Sequence, residues 1–410
     1  MADTASTEAH VRAALDRLAG DMPAVGIALS GGGDSTALLH MAHGWGRGRR
    51  LMAATVDHGL RPESAAEARA AQKTAESLGI AHVTLLWQRD TTEGNLMANA
   101  RDARLRLLSG WARHNDLSAV LLGHTQDDQA ETLLMRLARG AGVDGLAAMA
   151  EWRDAFGVRW LRPMLRVSRA SLRDWLTERN LRWIDDPSND NDDFDRIRIR
   201  KAMAALQLDA AALAQSAQNI AQARDALAYY AAQTAGEAVA DRGSLILPRA
   251  PFRHSPPEVQ RRLAVAAARW ITGADYPPRR ATVAHALAAL AAGSRVTLDG
   301  ALFCPTGDRI RVIREPAAAM RAPANDAPVW DNRWRIEGLS PGETVAAVGY
   351  ESLDQVNWRL SGLSRDEAAA TPAIRADGRL LATPVLQPQA PWRVEPLRNA
   401  GEFGRLVHLH

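Results

Sequence analysis

The six residues Ser30-Gly31-Gly32-Gly33-Asp34-Ser35 bring together three glycines, two hydroxyls and a carboxylate. Consecutive glycines let backbone N–H groups approach an anion closely, and hydroxyls at both ends add donors. The run follows the apolar stretch Val25–Leu29 and precedes Thr36–Met41, which reads strand, turn, helix, with a positive helix N-terminus facing the same ligand. Asp34 would repel a bare phosphate, so the loop implies a nucleotide with Mg²⁺ bridging carboxylate and phosphate. A Walker loop needs Gly-Lys-Ser/Thr at its end. The chain's two lysines are Lys73 and Lys201, which excludes it. Taken alone, the glycines also fit an ordinary tight turn.

Other polar clusters recur at comparable places: Asp57-His58-Gly59, Arg89-Asp90 and Gly123-His124-Thr125-Gln126-Asp127-Asp128 each follow an apolar run. Asp127 and Glu131 are spaced i, i+4 and Asp128 and Glu131 i, i+3, so on a helix these carboxylates share a face. Beside a polyphosphate loop such a set suits a metal or a cationic amine. Acidic residues at a helix start are equally ordinary capping residues.

These clusters need a scaffold that collects them. Apolar runs at 25–29, 51–56, 82–86 and 119–122 alternate with helical stretches at about 36–44, 63–78 and 95–114, the pattern of an α/β doubly wound parallel sheet. In such a sheet the carboxyl ends of the strands share one edge, where ligands bind. Further on, 208–240, 258–273 and 280–292 read as helices. Alternating runs such as Arg309–Ile313 and Trp334–Ile336 suggest a small β-containing tail, and the Pro- and Ala-rich Pro316–Pro328 reads as a linker. The expected organisation is a catalytic domain at 1–206, a helical middle domain at 207–315 and a small C-terminal domain at 325–410.

At 410 residues and 47% hydrophobic, the chain can bury a large core. It has no apolar run of about 18 residues, and its start lacks a basic segment followed by an apolar one. Neither a membrane span nor a signal peptide is expected, and the location expected is cytoplasmic. A single cysteine, Cys304, excludes an internal disulfide framework. The net charge of +3 is too small to name a nucleic-acid partner, although the arginines that dominate the basic residues suit phosphate.

The loop resembles that of the N-type ATP pyrophosphatases. The ordered set Ser30–Ser35, Asp57–Arg61, Gly94–Leu96, Ala100–Arg104, Gly123-His124, Asp127–Thr132, Arg136-Leu137, Arg139-Gly140, Arg162-Pro163 and Asp186–Asn189 resembles the tRNA(Ile)-lysidine synthetase family over residues 24–206. It departs from the family at Met97, Leu105 and Ile197. The resemblance implies a PP-loop enzyme that adenylates the C2 oxygen of the wobble cytidine in a CAU-anticodon tRNA(Ile). Free L-lysine then displaces AMP. It further implies Asp34, Asp57 and Asp127 in catalysis, with Asp34 and Asp127 on Mg²⁺. Ser30, Gly31, Gly32, Gly33, Asp34, Ser35, Asp57, His58 and His124 would bind ATP. Asp128 and Glu131 would hold the amine, and Arg101 or Arg104 would meet phosphates or the substrate carboxylate. A PP-loop tRNA thiolase or another AMP-transferring tRNA-modifying enzyme is the alternative; a lone distant cysteine speaks against the thiolase. The acidic run 185–195 reads as a solvated loop. The strip Arg196, Arg198, Arg200 and Lys201 fits either tRNA phosphate or pairing with those aspartates.

Overall fold

The computed structural model describes residues 4–59, 63–87, 96–184 and 195–408, with the backbone alone at 96–101 and 195. The expectations placed on Leu60-Arg61, Arg89-Asp90, Gly94-Asn95, the Arg101 side chain and the acidic run 185–194 lie outside the described residues. The chain divides into two compact units, Met1–Gln222 and Ala223–His410.

The first unit runs α1 (Thr4–Ala19), β1 (Ala24–Ala28), α2 (Gly33–Trp45), β2 (Arg50–Asp57), α3 (Ser64–Ser77), β3 (Ala81–Leu86), α4 (Leu96–His114), β4 (Ala119–Leu121), α5 (Gln126–Ala138), α6 (Val143–Leu146), β5 (Trp152–Ala155), β6 (Val158–Leu161), α7 (Arg169–Glu178) and α8 (Asp195–Ala205). Its six-stranded sheet has the order β3-β2-β1-β4-β6-β5. Every pairing is parallel except that of the edge strand β5 with β6. All five residues of β1 and all three of β4 are buried, the continuous apolar run of a strand covered on both faces. Along β1 the pleat sends Val25 and Ile27 into a cluster with Leu15, Leu38 and Trp175. Ala24 and Ala28 enter the other cluster, with Leu108, Trp111 and Trp160. The sheet is thus covered by helices on both faces, the doubly wound α/β fold expected.

The remaining elements are α9 (Ala210–Ala235), β7 (Val239–Asp241), β8 (Ser244–Pro248), α10 (Arg249–His254), α11 (Pro257–Thr272), α12 (Arg280–Ala291), β9 (Val296–Leu298), β10 (Ala301–Thr306), β11 (Arg309–Arg314), α13 (Pro316–Arg321), β12 (Val329–Trp330), β13 (Trp334–Glu337), β14 (Glu343–Ala347), α14 (Gly349–Ser352), α15 (Arg365–Ala369), β15 (Pro372–Ala376), β16 (Arg379–Ala382), β17 (Arg393–Pro396) and α16 (Ala400–His408). The first half of α9 packs Leu213, Ala217 and Ile220 with Leu133 of α5 and Leu146 of α6, inside the first unit.

In the second unit α11 and α12 match the helices read at 258–273 and 280–292. They pack against a five-stranded antiparallel sheet, β7-β8-β11-β10-β9, in one apolar core that also takes Phe403 and Val407 of α16. The hairpin β7–β8 turns through Arg242 and Gly243, both with positive φ, where a helix was expected to end. The stretch read as a linker opens instead with α13, which begins at Pro316, whose fixed φ suits a helix start; Ala318 and Ala319 are buried. Two three-stranded sheets, β12-β13-β17 and β14-β15-β16, close the chain around Trp330, Trp334, Val345 and Ile374.

Candidate active site

The glycine loop joins β1 to α2 at the carboxyl edge of the sheet. Gly31 has φ +86°, and a Cβ there would lie 2.7 Å from the Cδ1 of Ile184, so the position excludes a side chain twice over. The loop is closed from within: the Ser35 hydroxyl donates to the Gly32 carbonyl at 3.0 Å and accepts from the Ser30 N–H at 3.2 Å. Thr36 donates its hydroxyl to the Gly31 carbonyl at 3.2 Å. Ser35 is buried and Ser30 exposed, so the two serines differ in what they can offer a ligand. Gly32 is the N-cap of α2 and contributes no side chain, leaving the first turn of that helix open toward an anion. From the turn after β4, Gly123 comes so close that a Cβ would sit 3.2 Å from the backbone N and Cα of Ser35.

Asp127, Asp128 and Glu131 lie on the first turns of α5, and Asp34 on the first turn of α2. One residue touches all four. The backbone N–H of Arg169 donates to Asp127 Oδ2 at 2.7 Å, and its guanidinium reaches Asp34 Oδ2 at 3.2 Å through Nε. Nη2 meets Asp128 Oδ1 at 3.3 Å and Nη1 meets Glu131 Oε1 at 3.4 Å. From α8, Arg200 Nε lies 2.6 Å from Glu131 Oε1 and Arg196 Nη1 3.7 Å from Asp128 Oδ1. Two of the arginines read as a surface strip therefore face inward onto this carboxylate pair. Asp128 also carries the capping role weighed above: its Oδ2 accepts the Thr125 N–H at 2.8 Å and the Thr125 hydroxyl at 2.9 Å.

Burial raises the pKa of Asp34, opposed by Arg169 and reinforced by the nearby Asp128 and Asp127. Burial pushes Asp128 the same way, yet Arg169 and the hydrogen bond from the Thr125 backbone help hold it below the usual carboxylate value. The same carboxylates keep Arg169 firmly protonated despite its burial.

Asp57 ends β2 and accepts the Gly59 N–H at 2.9 Å. His58 lies edge-on to Trp87, ring centroids 5.8 Å apart, and its buried Nδ1 has no hydrogen-bond partner among the described residues. Burial and then Arg104 lower its pKa. His124 follows β4; its Nδ1 accepts from Arg162 Nε at 3.3 Å, and desolvation pushes its pKa to about 3, so the ring is neutral. Arg104 is close enough to both histidines to act on them electrostatically.

The sequence reading missed Arg169 and the inward turn of Arg196 and Arg200, and it named Arg162 without a role. One signal for Arg169 was available. Ser168 caps α7 and Arg169 is its first residue, where a cation opposes the helix dipole unless carboxylates surround it. Two other residues of the ordered set are structural: Gln129 pairs with both backbone groups of Met149, and Arg136 donates to the carbonyls of Gly145 and Ala148 at 2.8 Å.

Among the described residues no three or more His, Cys, Asp or Glu side chains form a metal-holding group. Asp34 and Asp127 make a two-carboxylate set, which suits a Mg²⁺ that takes its remaining ligands from water and phosphate. No helix among the described residues is long and apolar enough to cross a membrane.

A family model described as a PP-loop domain matches residues 6–206. The tRNA(Ile)-lysidine synthase of Ruegeria pomeroyi is 43% identical over 380 residues, 90% of this chain and 90% of its own length. That of Rhodopseudomonas palustris is 39% identical over 324 residues, covering 72% of this chain and 91% of the relative. That of Wolbachia pipientis is 33% identical over 379 residues, 88% of each. With a nucleotide loop and a carboxylate cluster on the edge of a doubly wound sheet, and with relatives aligned over most of its length, the chain belongs to the tRNA(Ile)-lysidine synthase family of ATP-utilising PP-loop ligases.

Proposed function

We propose that the protein joins free L-lysine to C2 of the wobble cytidine in a CAU-anticodon tRNA(Ile), in the cytoplasm, using ATP. The C2 oxygen attacks the α-phosphorus and pyrophosphate leaves. The lysine ε-amine then attacks C2, the C2–O bond breaks, AMP departs and the amine gives up a proton.

The observation that carries this reading is the contact of one guanidinium with both the loop carboxylate Asp34 and the amine-suited pair Asp128 and Glu131. A two-step transfer needs a nucleotide site and an amine site that share one reaction centre. The loop N–H groups and the N-terminus of α2 hold the phosphates. Asp34 and Asp127 hold Mg²⁺, which would neutralise charge on the leaving pyrophosphate when bound. Asp57, His58 and His124 border the nucleotide, and Arg101 or Arg104 meets a phosphate or the lysine carboxylate. Asp128 and Glu131 take the ammonium, and a carboxylate beside it accepts the proton that nucleophilic attack requires. Residues 207–315 and 325–410 contribute tRNA contacts. The thiolase reading is weaker, because sulfur transfer calls for cysteine near the loop and the chain's one cysteine, Cys304, belongs to β10.

The test is a product balance. With the tRNA transcript, Mg²⁺ and ATP, addition of lysine is expected to yield AMP, pyrophosphate and base carrying lysine through its ε-nitrogen in equal amounts. Release of ADP and phosphate instead would overturn the proposal.

A further inference from the structure

The four carboxylates come from two helices, and the residue that joins them lies on a third. Arg169 is mostly buried, with 19% of its side chain exposed, against 37% for Arg196 and 34% for Arg200. Among the described residues, the ion pairs of Arg196 and Arg200 go to Asp128 and Glu131, whereas Arg169 also reaches Asp34. Its helix does not favour a cation at this place, since it stands in the first turn. A guanidinium suits the task because it presents several N–H groups in fixed directions; an ammonium is a point charge that cannot span three separated carboxylates. Nor is Arg169 placed to do chemistry itself, because its donors are directed at carboxylates and it stays protonated.

We propose that Arg169 is a positioning residue that sets the loop carboxylate of the ATP site and the carboxylate pair of the amine site in register. The inference rests on the ligase reading given above and adds a residue to it. Without the guanidinium, Asp34, Asp128 and Glu131 repel one another and separate, so both substrates lose geometry together. A residue serving only one half-reaction would disturb one substrate alone.

The experiment compares wild type with Arg169→Lys and Arg169→Gln in full-length protein, below the melting transition of each. Lysine incorporation into the transcript is measured as a function of lysine and of ATP at saturating Mg²⁺. Arg169→Lys is expected to raise the KM for lysine and the KM for ATP, each roughly tenfold, as the loss of charge-assisted contacts implies. Arg169→Gln is expected to raise both further, so the partial recovery by lysine marks the charge. Calorimetric titration with lysine in the presence of a non-hydrolysable ATP analogue should show the same loss of affinity. Unchanged KM values with only a lower melting temperature or active fraction would make Arg169 a structural clip and overturn the proposal, as would variants that do not fold. A shift in one KM alone would also overturn it. If wild type itself transfers no lysine, the ligase reading fails, and that outcome is distinct from the others.

Discussion

Arg200 Nε lies 2.6 Å from Glu131 Oε1, and the Glu131 side chain is 2% exposed while that of Arg200 is 34% exposed. The anion is buried and the cation partly exposed. A ligand amine approaching Glu131 therefore meets a partner that can yield without unfolding α5.

The Arg200→Gln protein is expected to lose about 1–3 kcal/mol of stability, because a buried carboxylate is left short of a partner. Lysine should then raise its melting temperature more than that of wild type. Equal lysine protection in both proteins would mean that the amine binds away from Glu131.

His124 is held neutral, its pKa lowered from 6.5 to about 3. The unfolded chain binds a proton there below pH 6.5 and the folded chain does not, so stability falls as pH drops from 6.5 toward 3. Between pH 6 and 4 the wild type should lose up to about 1.4 kcal/mol per pH unit more than His124→Gln. Denaturant melts at three pH values check this; parallel curves would contradict it.

Asp34 has a raised pKa chiefly through burial. Its ionised form is therefore disfavoured in the fold, a cost present at neutral pH and relieved as pH falls through the folded pKa. Asp34→Asn should melt no lower than wild type at pH 7. Its tRNA-dependent pyrophosphate release should fall by about a hundredfold or more, as expected for loss of a group that serves the metal and developing charge. Full retention of that release would remove Asp34 from the chemistry.

Gly31→Ala forces a side chain into a φ of +86° and against Ile184. A loss of about 1 kcal/mol or more is expected, together with weaker ATP binding, since the loop must shift to make room. Thermal melts and nucleotide titration of the same preparation measure both effects.

The strands of the nucleotide-binding sheet were legible because β1 and β4 are buried on both faces and read as unbroken apolar runs. The hairpin β5–β6 was not, since Trp152-Arg153-Asp154-Ala155 is an exposed edge strand with no core-facing run. β7 and β8 hid at the end of a helical stretch, with only Asp241-Arg242-Gly243 to mark the turn. In the site, the loop and the carboxylates showed themselves by following strands. Arg169 did not, because it meets Asp34 across 135 residues of sequence, and no local spacing encodes such a contact.

The most direct measurement is incorporation of isotope-labelled lysine into a CAU-anticodon tRNA(Ile) transcript with ATP and Mg²⁺, mapped to the wobble cytidine, beside Asp34→Ala. ATP-dependent label at that base in wild type, and none in the variant, is the predicted result. Folded protein that consumes ATP with the transcript yet leaves the cytidine unlabelled would contradict the account.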